Sequence, residues 1–351
     1  MKINKIQVLI PGGGYFGGIE SLHQLVSEAY KLGINITCVY IPLKNIFYRD
    51  YRFKKNLNLN SYSIKIDDKI EDNKNTCIII PETFTSYIRV INQAQTAIWW
   101  LSKDNFFDKE IFYNEKTIKN NLKKIIVNLL NNFKNIKLTI VLFLAHYMRP
   151  LTLLEIKQKK IIHLCQSYYV FNFLKKKKFN NLLYMHDYIS TRNYKVYKKT
   201  IDVILNSNKG KKYNQLFIKN YKDILNIFTL KNLNLTQTQK KLNSSKLFID
   251  FGHHPGRDRI PREAVLQNTN ILVKKIGAAN NKKDLNVSDR NKFKSYNIYT
   301  DLNIIKKLTI YNSLKSSKKE YNSYLKKINN DKKLMIKEIK NFIKRIKYER
   351  K

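Results

Sequence analysis

The sequence predicts an α/β protein of two parallel-sheet domains, followed by a basic helical tail. Three observations carry this reading. Strand-like apolar runs alternate with helix-like stretches almost throughout. The 351 residues exceed one ordinary core and suit two domains of ~150 residues each. Glycine gathers where a first strand would turn into a first helix, with five of the ten glycines inside PGGGYFGGIE, residues 11–20.

The elements follow in order. IQVLIP (6–11) reads as a strand, and a helix runs from Gly18 to Leu32 with Ile19, Leu22, Leu25, Val26 and Ala29 at helical spacing. Gly33 stops that helix ahead of NITCVYIP (35–42). TCIIIP (76–81), a helical stretch to Ala94, AIWWLS (97–102), a helix around 115–132 and KLTIVLFL (137–144) continue the rhythm. A second series begins near Lys160 with IIHLC (161–165), a helix to about Leu174 and NLLYM (181–185). DVILN (202–206), a helix from Lys209, DILNIF (223–228), KLFIDFG (246–252), a short helix from Pro261 and NILVKK (270–275) complete it. This βαβ alternation implies parallel sheets with helices on both faces. The expected domains are 1–155 and 156–300. The tail, 301–351, is helical, with Leu308, Ile310, Leu314, Tyr321, Leu325 and Ile328 giving a partial apolar face.

Composition excludes several classes. No run reaches the ~18 apolar residues of a membrane span, and the longest, residues 136–147, suits a buried strand. The N-terminus reads as a strand entering a glycine loop, not a signal peptide. Cys38, Cys77 and Cys165 are widely spaced, as expected of reduced thiols in a cytoplasmic protein without a zinc site. The net charge of +41 invites a nucleic-acid reading. A uniform excess of Lys, Asn, Ile and Tyr, of the kind an A/T-rich genome produces, explains much of it, and no nucleic-acid motif accompanies it. Residues 306–351 hold 16 basic and 4 acidic side chains, a net +12. Peripheral contact of this tail with an acidic inner membrane face is one reading and a solvated basic helix is the other.

The glycine loop opens a phosphate-binding reading, because glycine lets backbone N–H groups approach a ligand and a helix N-terminus favours anions. Gly12, Gly14 and Gly17 match the dinucleotide pattern formally, but the expected acidic residue is missing where the second strand ends at Tyr40-Ile41-Pro42. No Gly-Lys-Ser/Thr follows, which excludes a Walker-type loop.

GGIESLHQLVSEAYKLGINITCVYIP (17–42) resembles the N-terminal signature of glycosyltransferases of the GT-B type, in which Gly17 and Gly18 open the first helix. The resemblance implies two Rossmann-like domains facing across a cleft, with the nucleotide sugar held by the second. FIDFGHHPGRDRIPREAV (248–265) is similar to the strand, loop and Glu-Ala helix of retaining members, whose glutamate holds the ribose. That role falls on Glu263 here. Arg257, Arg259 and Arg262 are fork donors suited to phosphate, and His253 or His254 could donate to a diphosphate or transfer a proton. Lys209-Gly210 looks like the basic residue that contacts the diphosphate. Together with WWLSKDNF (99–106), HLCQSYY (163–169) and NSNKG (206–210), the motif is similar to bacterial proteins associated with surface polysaccharide.

The chain departs from that pattern where a first glutamate belongs eight positions before the second. Pro255 stands there. His253 and Asp258 are therefore the catalytic candidates, with Gly17, Gly18, Lys209, Arg257, Arg259 and Glu263 as nucleotide-sugar ligands. For Glu263 helix capping stays open, and for each arginine an ion pair. Secondary candidates are Glu82 at a strand end, Asp104 and Asn105 after another, one of Trp99 and Trp100 as a cleft-lining ring, and the pair His186-Asp187. The resemblance implies a glycan or lipid-linked acceptor and no cofactor. No Asp-x-Asp occurs, which fits transfer without a metal. A non-catalytic scaffold of the same fold is the alternative, and nucleic acid ranks third.

Overall fold

The computed structural model describes residues 2–12, 17–42, 62–112, 150–190, 197–207, 209–294 and 314–348. The chain forms two units, one of residues 1–166, 170–187 and 333–351, the other of residues 167–169 and 188–332.

The first unit carries a six-stranded sheet. Its strands are β1 (Lys5–Gly12), β2 (Ile36–Pro42), β3 (Thr76–Pro81), β4 (Gln95–Trp100), β5 (Ile162–Cys165) and β6 (Leu182–Tyr184). Their order is β2-β1-β3-β4-β5-β6 and every pairing is parallel. Strands covered on both faces need no polar alternation, which is why all six residues of β3 are buried. Helix α1 (Gly17–Lys31) crosses from β1 to β2 and buries Leu22, Leu25, Val26 and Ala29. It stops where Gly33 takes φ +75, a value that suits glycine. A 3₁₀ segment (Glu82–Arg89) follows β3, and α2 (Lys103–Phe112) follows β4. Helices α3 (Leu153–Lys157) and α4 (Tyr168–Lys176) flank β5. The core packs Leu9, Ile78, Ile80, Ile98 and Trp100 against Phe84, Tyr87, Phe106, Val170 and Leu174.

The expected boundary at 155/156 falls short. β5 pairs with β4 through Ala97↔Ile162 to Trp100↔Cys165, and β6 pairs with β5, so both belong to the first sheet. Apolar periodicity marks a strand but does not say which sheet receives it. The helix expected around 115–132 and the strand at 137–144 lie outside the described residues.

The second unit holds β7 (Ile201–Asn206), β8 (Ile227–Leu230), β9 (Ser245–Asp250), β10 (Asn270–Lys274) and β11 (Lys292–Phe293), in the parallel order β11-β10-β9-β7-β8. Alternate residues serve opposite faces. Ile204, Phe248, Ile271 and Val273 meet α6 (Leu235–Asn243) and α7 (Arg259–Leu266) through Leu242, Ala264 and Val265. Val203, Leu205, Leu247 and Ile249 meet α5 (Lys211–Tyr221) through Phe217 and Tyr221. Helix α6, not foreseen in the sequence, is started by a capping box between Asn234 and Gln237.

From β7 the chain first adds β8 on one side and then β9 on the other. That reversal makes a topological switch point between β7 and β9, and ligands of such sheets bind beyond the strand C-termini there.

Helix α8 (Leu314–Arg345) is no free tail. Tyr321, Tyr324 and Ile328 join the core of the second unit. Met335, Ile339 and Phe342, all buried, belong to the first. There the chain after α8 reaches the sheet, where Ile3 N–H donates to the Lys347 carbonyl. The acidic residues Asp331 and Glu338 turn inward, while Lys326, Lys332, Lys333, Lys337, Lys340 and Lys344 stay exposed. Leu308 and Ile310 lie outside the described residues. Among the described residues no helix is long and apolar enough to cross a membrane. The three cysteines are buried and form no disulfide, and burial pushes the Cys77 thiol up to about 12.

Candidate functional site

In the first unit the strand-end candidates make local contacts. The Glu82 carboxylate, 2% exposed, accepts from Leu101 N–H at 3.0 Å and Ser102 N–H at 3.2 Å, tying the end of β3 to the end of β4. Asp104 pairs with Lys103 at 3.2 Å, and Asn105 N–H donates to the Ser102 hydroxyl at the start of α2. Neither tryptophan lines an open surface. Trp99 Nε1 donates to the Met185 carbonyl and Trp100 Nε1 to His163 Nδ1, and both rings are fully buried. His186 is paired with Glu338 of α8, which lies 2.5 Å from its Nδ1 and accepts its backbone N–H at 2.7 Å. The base-and-orienter reading of His186-Asp187 gives way to that contact. Gly17 and Gly18 open α1 as expected, half-buried, while residues 13–16 of the glycine loop lie outside the described residues.

The second unit concentrates polar chemistry at its switch point. Asn206 ends β7, Asp250 ends β9, and Asn206 Nδ2 donates to Asp250 Oδ2 at 3.0 Å. Asp250 Oδ1 accepts Gly252 N–H at 2.8 Å and so bends the chain out of the strand. Two glycines clear the space around Lys209. A Cβ on Gly252 would lie 2.2 Å from Lys209 Cβ. Gly210, at φ +64, is the N-cap of α5, and a Cβ there would come within 2.7 Å of Phe251 Cβ. Asn214, one turn into α5, donates to the carbonyls of Asn206 and Lys209 and fixes this corner.

Lys209 Nζ lies 2.5 Å from Asp258 Oδ2, and His254 Nδ1 lies 2.7 Å from the same oxygen. Burial alone would push the Asp258 carboxyl up. The His254 and Lys209 contacts outweigh it and hold the group below the ordinary carboxylate range. His254 is 2% exposed and its Nε2 has no hydrogen-bond partner, whereas His253 is exposed and meets the Tyr169 ring. The imidazole that engages Asp258 is thus His254, whereas His253, the catalytic candidate, is exposed. Gly277 makes that possible: at φ +64 it approaches so closely that a Cβ would stand 2.1 Å from the His254 carbonyl oxygen.

The three arginines divide. Arg257 is buried with its Nη2 on both oxygens of Asp331, and Arg262, 1% exposed, braces the same carboxylate at 3.7 Å and donates to the Arg257 carbonyl. Arg257 thus ties the loop to α8 through Nη2, a framing contact that the sequence did not show. Arg259 is half-buried, 3.4 Å from Glu263. Helix α7 starts at Arg259, two residues before Pro261, which places Glu263 in the second turn and not at the cap. Glu263 is 3% exposed.

Asp250, His254 and Asp258 offer ligand atoms within 4.8 Å of one another, a metal-type grouping. Asp250 already accepts from Asn206 and from Gly252 N–H, and Asp258 Oδ2 already faces His254 Nδ1 and the Lys209 ammonium, while His254 Nε2 has no hydrogen-bond partner.

Two Rossmann-like domains of parallel strands define the GT-B type of fold. Solved structures of that fold match the whole length of the chain. Sucrose-phosphate synthase from Thermosynechococcus elongatus superimposes with a TM-score of 0.57 at 8% identity, covering 98% of this chain and 99% of its own. T4 phage BGT, in complex with its UDP-glucose substrate, gives 0.54 at 12% over 97% and 99%. Anabaena HepE, in complex with UDP-glucose, gives 0.53 at 10% over 97% and 99%. No protein-family model matches the chain, and no curated protein does. At such identities the likeness shows the fold alone.

Proposed function

We propose that the chain is a glycosyltransferase that binds a nucleotide sugar at the second unit and passes the sugar to a glycan or lipid-linked acceptor. The observation that carries this reading is Lys209 at the head of α5. Its stem lies in space that Gly252 leaves open, at the sheet's switch point. An ammonium beside a helix N-terminus neutralises a departing diphosphate. The first turn of α5 holds Lys211 and Lys212 and no acid, which adds to the positive field. Glu263 and Arg259 stand on the following crossover, where the resemblance puts the ribose.

Several structures of this fold contain UDP or UDP-glucose, which supports a uridine donor. T4 phage BGT has also been solved with UDP and Mn2+. Transfer without a metal is nonetheless the reading here, because Lys209 already supplies the cation at the acid cluster. Surface polysaccharide synthesis on the cytoplasmic side of a membrane is the setting that the sequence motifs favour.

Calorimetry with UDP-, GDP- and CMP-sugars tests this reading. We expect one to bind, to bind equally with and without EDTA, and to be weakened at least about tenfold by Glu263→Ala, the loss of one hydrogen-bonded charge. Failure of all three at millimolar concentration would reject it.

One observation favours a second reading, a non-catalytic scaffold. Pro255 replaces the first glutamate of the motif, and Asp258, the nearest carboxylate of the loop, is taken up by Lys209 and His254. Sustained nucleotide release from an activated-sugar panel would exclude it.

A further inference from the structure

Asp258 brings its carboxylate between Lys209 and His254. Its Oδ2 accepts from an ammonium at 2.5 Å and faces an imidazole nitrogen at 2.7 Å. It forms the N-cap of α7 yet makes no side-chain capping bond to that helix. The carboxylate is therefore not spent on helix termination. The loop that carries it is fixed from several sides: Asp258 N–H donates to the Gly256 carbonyl, Arg262 Nε to the Asp258 carbonyl, and Ala278 N–H to the His254 carbonyl. The Lys209 backbone is likewise held, by Asn214, and the two side chains are similarly exposed, 26% and 20%. Of the two partners, the lysine with its flexible four-carbon stem is the one that can re-aim its charge.

We infer that Asp258 is a built-in competitor for the diphosphate: Lys209 rests on it in the free protein and moves to the phosphate when the nucleotide arrives. The inference rests on the donor reading above. It gives Asp258 a positioning and gating role and not that of a catalytic acid or base. The carboxylate keeps the lysine aimed while no ligand is bound, and it retakes the ammonium as the nucleoside diphosphate leaves. A like charge beside an incoming diphosphate weakens binding, so the parked state favours product release. His254 stays behind on Asp258 and shields the vacated carboxylate.

The test compares UDP and inorganic pyrophosphate binding by calorimetry in the wild type, Asp258→Asn and Asp258→Glu. Removing the charge should tighten both ligands by about tenfold or more. The conservative Asp258→Glu, which keeps the charge, should stay near the wild type. In the parked arrangement binding exchanges one ion pair for another, so the wild-type dissociation constant should vary less with salt than that of Asp258→Asn. A wild-type crystal grown with UDP gives a reading free of substitutions, and it should show Lys209 Nζ on the diphosphate and away from Asp258. Unchanged or weaker binding in folded Asp258→Asn, or a lysine still on Asp258 in the complex, would overturn the inference and leave the donor reading intact. If the wild type binds neither ligand at millimolar concentration, the donor reading itself fails and takes the inference with it.

Discussion

Arg257 and Asp331 stand 74 residues apart in sequence and form a buried ion pair, with Arg257 Nη2 at 2.9 Å and 2.7 Å from the two carboxylate oxygens. Arg257 is 4% exposed and Asp331 not at all. The pair joins the loop after β9 to α8 within the second unit. Removing one partner of such a pair leaves an uncompensated buried charge. Asp331→Ala should cost about 3–5 kcal/mol, read from the shift in the urea midpoint. Arg257→Met with Asp331→Leu should recover only part of that loss, since Arg262, which the same carboxylate braces, stays buried with its charge. A single-variant loss under about 1 kcal/mol would mean that water replaces the missing carboxylate.

The two glycines at positions 33 and 252 separate backbone strain from site geometry. At Gly33 a Cβ would meet nothing within 4 Å, but φ is +75. Gly33→Ala should cost about 1 kcal/mol and leave nucleotide binding unchanged. At Gly252 a Cβ would stand 2.2 Å from Lys209 Cβ, so the lysine stem must move. Gly252→Ala should weaken UDP binding at least about tenfold, as loss of a charge-assisted contact does. Equal affinity in the two alanine variants would detach Lys209 from the diphosphate.

Glu82 offers a test of a strand-end carboxylate that braces backbone N–H groups. Its two oxygens accept the N–H groups of Leu101 and Ser102. Glu82→Ala should cost about 2–3 kcal/mol of stability, the range for hydrogen bonds to a charged group. Glu82→Gln, which keeps one acceptor, should cost less. Donor affinity, measured below the unfolding temperature, should not change in either variant. A large loss of affinity at full stability would return Glu82 to the site.

Much of the architecture was legible because both sheets are parallel. TCIIIP, IHLC and NILVK are apolar without alternation, which is the mark of strands covered on both faces. The same property hid the domain boundary, since nothing in IHLC distinguishes a fifth strand of one sheet from a first strand of another. Scarce residues drew attention to Lys209-Gly210 and to the loop after β9, and the fold brings Gly252 of that loop against Lys209. The roles of the charged residues were not legible. Nothing local in the sequence pairs Arg257 with Asp331, 74 residues away on α8. His253 and His254 are equivalent in sequence, yet the backbone turns one outward and the other onto Asp258. Pairings across tens of residues leave no local periodicity to detect.

His163 gives the stability of the first unit a predictable dependence on pH. The ring is 2% exposed within β5, its Nδ1 accepts from Trp100 Nε1 at 3.1 Å, and burial lowers its pKa from 6.5 to about 4. A neutral imidazole with Nδ1 as acceptor carries its proton on Nε2, and a second proton would displace the indole N–H. The unfolded chain takes up that proton near pH 6.5, while the folded chain resists it until about pH 4. Between those values the unfolded state binds more protons, so stability falls as pH is lowered through the window. Above pH 6.5 the contribution is complete and constant. Over the whole window the loss amounts to about 3 kcal/mol, at 1.36 kcal/mol for each pKa unit. Urea titrations at pH 7.5, 6, 5 and 4, chosen at about one-unit steps to bracket the transition, should show the midpoint falling with acid. His163→Gln, unable to titrate, should remove that part of the slope while starting from a lower stability at neutral pH. Wild-type and His163→Gln curves of equal slope would place the acid sensitivity elsewhere.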